Sequence, residues 1–167
     1  MYEEVLIRLS GTQVRYLVVG AVALGLRGYP RATVDLDILP ELTDENLDRL
    51  ITVLRDLGYK PVMPVEWADL KDPEKRRTWH DEKHMIAFSA IHHERPENVV
   101  DIILFYPEGF DFEACYRRKE TVRIRAVDVH LACLEDLLEL KKDTGREKDR
   151  ADIQVIEQMI RARDIND

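Results

Sequence analysis

The chain has 167 residues, of which 45% are hydrophobic and 35% charged, enough for one domain with a packed core. Its net charge of -8 argues against a protein that coats nucleic acid by bulk electrostatics, because that mode needs a basic surface to displace counterions, and leaves room for a local basic groove. No run reaches the roughly 18 apolar residues of a membrane span, and Met1-Tyr2-Glu3-Glu4 lacks the basic and apolar regions of a signal peptide. A cytoplasmic protein with no membrane partner is therefore expected.

Read in chain order, residues 14–19 form a buried strand ended by Gly20, and Ala21 to Leu26 a short buried helix stopped by Gly28 and Pro30. Ala32 to Leu39 reads as a second strand closed by Pro40. Residues 43–57 place Leu47, Leu50, Ile51, Leu54 and Leu57 on one helical face, with Thr43 or Asp44 as its cap. From Lys60 to Lys83 the pattern weakens, with prolines and many charges, and the expectation is a loop with a helix around Trp67 to Trp79 that could serve as a lid or specificity element. The two tryptophans are expected to be packing residues. Met85 to Ile91 and Asn98 to Phe105 read as strands, and Thr121 to Val129 as one or two more. Two helices finish the chain, one with Leu131, Leu134, Leu137 and Leu138 on one side, the other with Ile153, Ile156 and Ile160. No repeat or linker divides the sequence, so a single domain over residues 1–167 is expected, with a core of about 10–129 and a helical extension of about 130–167.

Asp35-Leu36-Asp37 is the most informative tripeptide. Residues i and i+2 of a strand project to one face, so two carboxylates come together on an otherwise apolar strand of Val34, Leu36, Ile38 and Leu39. Such a pair repels itself unless a cation sits between, and magnesium, which takes hard oxygen ligands and is usually shared between one or two carboxylates and substrate phosphates, suits the position. The plainer alternative is two solvent-facing acids on an exposed strand. A calcium loop is ruled out because Leu39 and Pro40 stand where a ligand and a glycine are required. A P-loop is ruled out by Leu26-Arg27 in place of lysine and a hydroxyl residue, and a dinucleotide fingerprint by Ala21 and Ala23. The small residues at Gly20-Ala21 would let backbone N–H groups approach an anion closely. Asp101 interrupts the apolar run Asn98 to Phe105 and needs a cation, an arginine or hydrogen bonds.

A strand ending in Gly20, a small residue, a helix and then a D-x-D strand resemble the nucleotidyltransferase superfamily with the DNA polymerase β type fold. The likeness is nearest to the prokaryotic branch that includes AbiEii-type toxins, through Gly20, Ala21, Ala23-Leu24, Arg27-Gly28, Arg31, Thr33, Asp35 and Asp37. The resemblance implies an α+β fold, with a mixed sheet and helices mainly on one face. It implies Asp35, Asp37 and Asp101 as catalytic metal ligands for magnesium, with manganese as the substitute. Gly20, Ala21, Arg31, Thr33, Lys141 and Arg146 would then lie at nucleotide phosphate, and Arg27 and Asp149 would support the site. Ala21 departs from the pattern, since it has neither glycine's flexibility nor serine's hydroxyl. Lys141 and Asp149 both fall on inward helix faces, toward each other by spacing, so a structural clamp is the alternative for that pair.

The implied activity is transfer of an NMP from an NTP to an acceptor hydroxyl with release of pyrophosphate. Compatible acceptors are tRNA ends, a protein hydroxyl or a small molecule, and a cognate antitoxin or toxin partner is implied by the branch. A non-catalytic nucleotide-binding or partner-binding module is the alternative. A D-x-D glycosyltransferase would need a larger domain. His80 and His84 lack the spacing of a zinc protease motif, and Cys115 and Cys133 are expected to be small core residues.

Overall fold

The computed structural model describes residues 2–29, 33, 35–142 and 147–166. In order, these form α1 (Glu3–Ser10), β1 (Tyr16–Val18), α2 (Gly20–Gly25), β2 (Asp35–Pro40), α3 (Asp44–Asp56), β3 (Tyr59–Pro61), a 3-10 turn (Trp67–Lys71) and α4 (Pro73–Lys83). There follow β4 (Ala87–His92), β5 (Val99–Ile103), α5 (Phe112–Arg117), β6 (Glu120–Ile124), β7 (Val127–Leu131), α6 (Leu134–Lys142) and α7 (Glu147–Asn166). The strands make one mixed sheet in the order β3-β4-β5-β2-β1-β7-β6. Within it β2 runs parallel to β5 and β1 to β7, and the other neighbours are antiparallel. The fold is α+β, as the sequence predicts.

Period-two alternation sorts the central strands into two unlike faces. Leu36 and Ile38 of β2, Val100 and Ile102 of β5, and Phe88 and Ala90 of β4 are in register on one face and fully buried. They join one core with Val5 and Leu9 of α1 and Leu50 and Leu54 of α3. Apart from Ala90, each such side chain contributes on the order of 1.5–3 kcal/mol when removed from water. The other face of the same strands carries Asp35, Asp37, Ser89 and Asp101, all half-buried.

The segment from Lys60 to Lys83 is more ordered than the sequence suggests. Lys60 and Pro61 lie in β3, paired with Ile91 and Ala90. Pro73 opens α4 at the position where its missing N–H costs nothing, and the Asp72 carboxylate caps the helix by accepting from the Glu74 and Lys75 amides at 2.9 and 3.2 Å. Trp67 and Trp79 are packing residues, each with its ring 5.9 Å from that of Phe88. Because Phe88 and Ser89 point to opposite faces, these contacts pack the two tryptophans against the face of the sheet opposite Ser89.

Two helices form where the sequence reading placed none. In α1, Val5, Leu6 and Leu9 face the core. In α5, the Asp111 carboxylate caps the helix through the Glu113 and Ala114 amides. Leu131 ends β7 and does not belong to the following helix, which starts at Leu134. Cys115 and Cys133 are buried thiols, as expected. The Cys133 thiol donates to Asp136 Oδ2 at 3.0 Å, and Arg118 holds the other oxygen, tying the end of α5 to α6. Burial, and then the Asp136 bond, pushes the Cys133 thiol up to about 11, so it is an unreactive core group. His84 adopts a left-handed conformation at the end of α4 (φ 51°), so it does not share a helical face with His80. Among the described residues no helix is long and apolar enough to cross a membrane.

Candidate active site

The site is a row of residues across the sheet. Asp37 on β2 stands in register with Asp101 on β5, and Asp101 in turn with Ser89 on β4. Directly paired residues of neighbouring strands project to the same face, and Asp35 is two positions before Asp37, so all three predicted carboxylates share one face. Ser89 Oγ donates to Asp101 Oδ1 at 2.6 Å, a charge-assisted bond that fixes the plane of that carboxyl group.

β1 closes the row on its other side. The Val19 amide donates to the Asp37 carbonyl at 3.0 Å, extending the β1–β2 ladder to the point where the chain turns into α2. At that turn Gly20 has φ +66°, and a methyl group on it would come within 2.7 Å of Asp37 Cγ. Glycine is required twice over, for the left-handed backbone and for the space that Asp37 occupies. Ala21, the next residue, is buried, so in this structure its methyl group packs inward.

Tyr2 is a neighbour of the acids that the sequence does not reveal. Its hydroxyl donates to the Thr33 carbonyl at 3.2 Å. Partial burial, then the charges of Asp35 and Asp37, push the phenol up to about 12, so it stays a neutral donor. Thr33 Oγ1 accepts from the Asp35 amide at 3.3 Å and so folds onto the start of β2.

Two more of the predicted residues, Arg27 and Lys141, are bonded within the protein. The Arg27 side chain is nearly buried and donates to the Ala23 carbonyl at 3.0 Å, the Ala132 carbonyl at 2.5 Å and Glu120 Oε2 at 3.0 Å. These bonds fasten α2 to the β6–β7 hairpin. Lys141 Nζ donates to Asp149 at 3.1 Å and to Asp152 at 2.7 Å, with all three side chains nearly buried. The inward spacing of Lys141 and Asp149 thus ends in a pair across α6 and α7, which Asp152 completes. Arg31 and Arg146 lie outside the described residues. A cleft of about 700 Å³ lined by Arg15, Tyr16, Tyr116 and His130 lies toward the opposite end of β1 from Gly20 and includes none of the predicted residues.

The donor set suits a hard divalent cation: three carboxylates on one face, two of them in direct register. Among the described residues no group of three or more His, Cys, Asp or Glu is placed to hold a metal ion by itself.

No protein-family model and no curated protein matches the sequence. Solved structures do match. The lincosamide antibiotic adenylyltransferase LnuA, with lincomycin bound, superposes with a TM-score of 0.58 at 20% identity, over 94% of this chain and 96% of its own. ANT(2")-Ia, in complex with adenylyl-2"-tobramycin, gives 0.57 at 12% identity over 98% and 90%. The chain has the nucleotidyltransferase fold. A nucleotidyltransferase-like protein from Paracoccidioides brasiliensis shares that fold, with a TM-score of 0.51 and 21% identity over 95% of this chain and 72% of that one. These likenesses bear on the nucleotidyltransferase fold as a whole and not on the AbiEii branch.

Proposed function

We propose that the protein moves an NMP from an NTP onto an acceptor hydroxyl and releases pyrophosphate, and that the acceptor is a small hydroxylated molecule. The observation that carries the reading is the row of Asp37 and Asp101, in register with Asp35 beside them, on a nucleotidyltransferase fold. The acceptor class is supported by the near-complete mutual coverage with LnuA and ANT(2")-Ia, whose structures hold an antibiotic and an adenylylated antibiotic. It is supported too by the net charge of -8, which disfavours a long nucleic-acid acceptor.

In this reading Asp35, Asp37 and Asp101 would hold magnesium or manganese. Such a cation offsets the charge of the triphosphate and of the entering and leaving oxygens. Asp101, fixed by Ser89, orients the acceptor hydroxyl and takes its proton. The acceptor oxygen bonds to the α-phosphorus as the α–β phosphoanhydride bond breaks, and the electron pair leaves with pyrophosphate. Gly20 keeps the turn bare so that backbone and phosphate can approach Asp37. Lys141 acts as a brace between α6 and α7, since two carboxylates already share its ammonium group.

Incubation with α-labelled NTPs, magnesium and panels of hydroxylated antibiotics, tRNA and protein tests the proposal. The expected result is label on a small molecule, lost in Asp35→Asn. Thermal stabilisation by NTP and magnesium tests the nucleotide site without an acceptor, and ligand at 100 times its dissociation constant adds about 2.7 kcal/mol. No stabilisation by any NTP would leave the non-catalytic module as the better account. The toxin or antitoxin partner implied by the sequence resemblance is tested separately, by growth arrest on expression of the chain and its relief by a neighbouring reading frame.

A further inference from the structure

We infer that Ser89 is a positioning residue of the carboxylate row: it fixes Asp101 so that Asp37 and Asp101 act as one metal-binding unit. The inference rests on the proposed function. It starts from β4, where Phe88, Ala90 and His92 are buried and the alternate positions Ala87, Ser89 and Ile91 are half-buried. Among those alternate positions Ser89 is the one that carries a hydroxyl, and it is also the one in register with Asp101. Register therefore extends the row to three strands, Ser89-Asp101-Asp37, with the hydroxyl at one end.

A bond of 2.6 Å from a hydroxyl to a carboxylate oxygen is at the short end for its type and is strengthened by the charge. Its effect on Asp101 is geometric. An aspartate on a strand has a broad χ2 well, so an unrestrained carboxyl group samples many orientations. The Ser89 bond narrows that freedom before any ligand arrives. Two like charges in direct register also repel, and an outside donor on one of them keeps it from swinging away from the other. Hydrogen bonds to ligating groups commonly tune metal affinity or activity by 10–100-fold.

Manganese alone is the probe, with free ion read by electron paramagnetic resonance and folding checked by circular dichroism and melting. Wild type is expected to bind manganese and Asp101→Asn to lose it. Ser89→Ala should weaken binding about tenfold at unchanged fold, and Ser89→Thr, which keeps the hydroxyl, should return it to within about twofold. Ser89→Cys keeps the volume with a weak donor and should fall near Ser89→Ala, so it carries the test if the alanine variant folds poorly. Once an acceptor is in hand, Ser89→Ala should lower kcat more than it raises KM for that acceptor. If Ser89→Ala binds manganese like wild type while Asp101→Asn does not, the Ser89 inference fails and the metal site stands. If wild type and Asp101→Asn are alike, the metal reading fails and Ser89 falls with it.

Discussion

Asp149 and Asp152 on α7 and Asp35, Asp37 and Asp101 on the sheet are both groups of acids, yet the molecule handles them differently. The helical pair is almost wholly buried around Lys141, which lies within 3.1 Å of both. The sheet group is half-buried and stacks Asp37 beside Asp101, with a glycine pressed against one and a serine bonded to the other. Buried acids matched by a lysine describe a brace. The acids lined up in register on the sheet are the ones proposed to work with a cation and a nucleotide.

The largest effect separating the two is expected at the brace. Lys141→Ala leaves two buried carboxylates without their lysine and should cost about 3 kcal/mol, a melting-point drop of roughly 6–12 °C. The shift induced by NTP and magnesium should persist in that variant. Its loss would return Lys141 to the phosphate role that the sequence resemblance gives it. Asp37→Asn should do the reverse, leaving the melting point unchanged or raised while lowering NMP transfer at least about a hundredfold. A large loss of stability there would mean the sheet acids are structural.

Gly20→Ala joins stability and function in one residue. The left-handed backbone alone costs about 1–2 kcal/mol, and displacement of Asp37 should also weaken nucleotide binding. Combined with Asp37→Ala the stability loss should be less than the sum, because the two side chains contend for the same space.

A smaller effect tests the electrostatics away from both groups. Burial raises the Asp136 carboxyl, but bonds from Arg118, Cys115 and Cys133 outweigh it and hold it below the usual carboxylate value. A lowered folded value means that its stabilisation is complete above the unfolded value and is lost as pH falls through the folded one. The gap in melting point between wild type and Asp136→Asn should therefore be widest near neutrality and narrow below about pH 4. Smallest of all, Tyr2→Phe removes one half-buried hydrogen bond to Thr33 and should cost about 1 kcal/mol or less by denaturant titration.

Much of this was legible because it depends on spacing. Asp35 and Asp37 share a face by the pleat, and the single acid in Asn98 to Phe105 marked Asp101 against an apolar background. The inward positions of Lys141 and Asp149 came from helical periodicity. Direct register between Asp37 and Asp101 was not legible, since strand pairing across 64 positions leaves no local trace. Ser89 carried one faint signal, a lone hydroxyl on the open side of an alternating strand, and Tyr2 carried none, because its neighbours are brought by the docking of α1. In the segment from Lys60 to Lys83 the weak hydrophobic pattern predicts a loop with a helix around Trp67 to Trp79, whereas α4 starts at Pro73, the helical position that tolerates proline.

The pairing of β2 with β5 also bears on folding fidelity. A side-chain period of two means that a slip of one residue in either strand would turn its aspartates toward Phe88 and the tryptophans and push leucine and isoleucine out to water. Each misplaced carboxylate would then sit in an apolar layer, at a cost of several kcal/mol. The acids proposed for chemistry thus also penalise, during assembly, any alignment of the sheet shifted by a single residue.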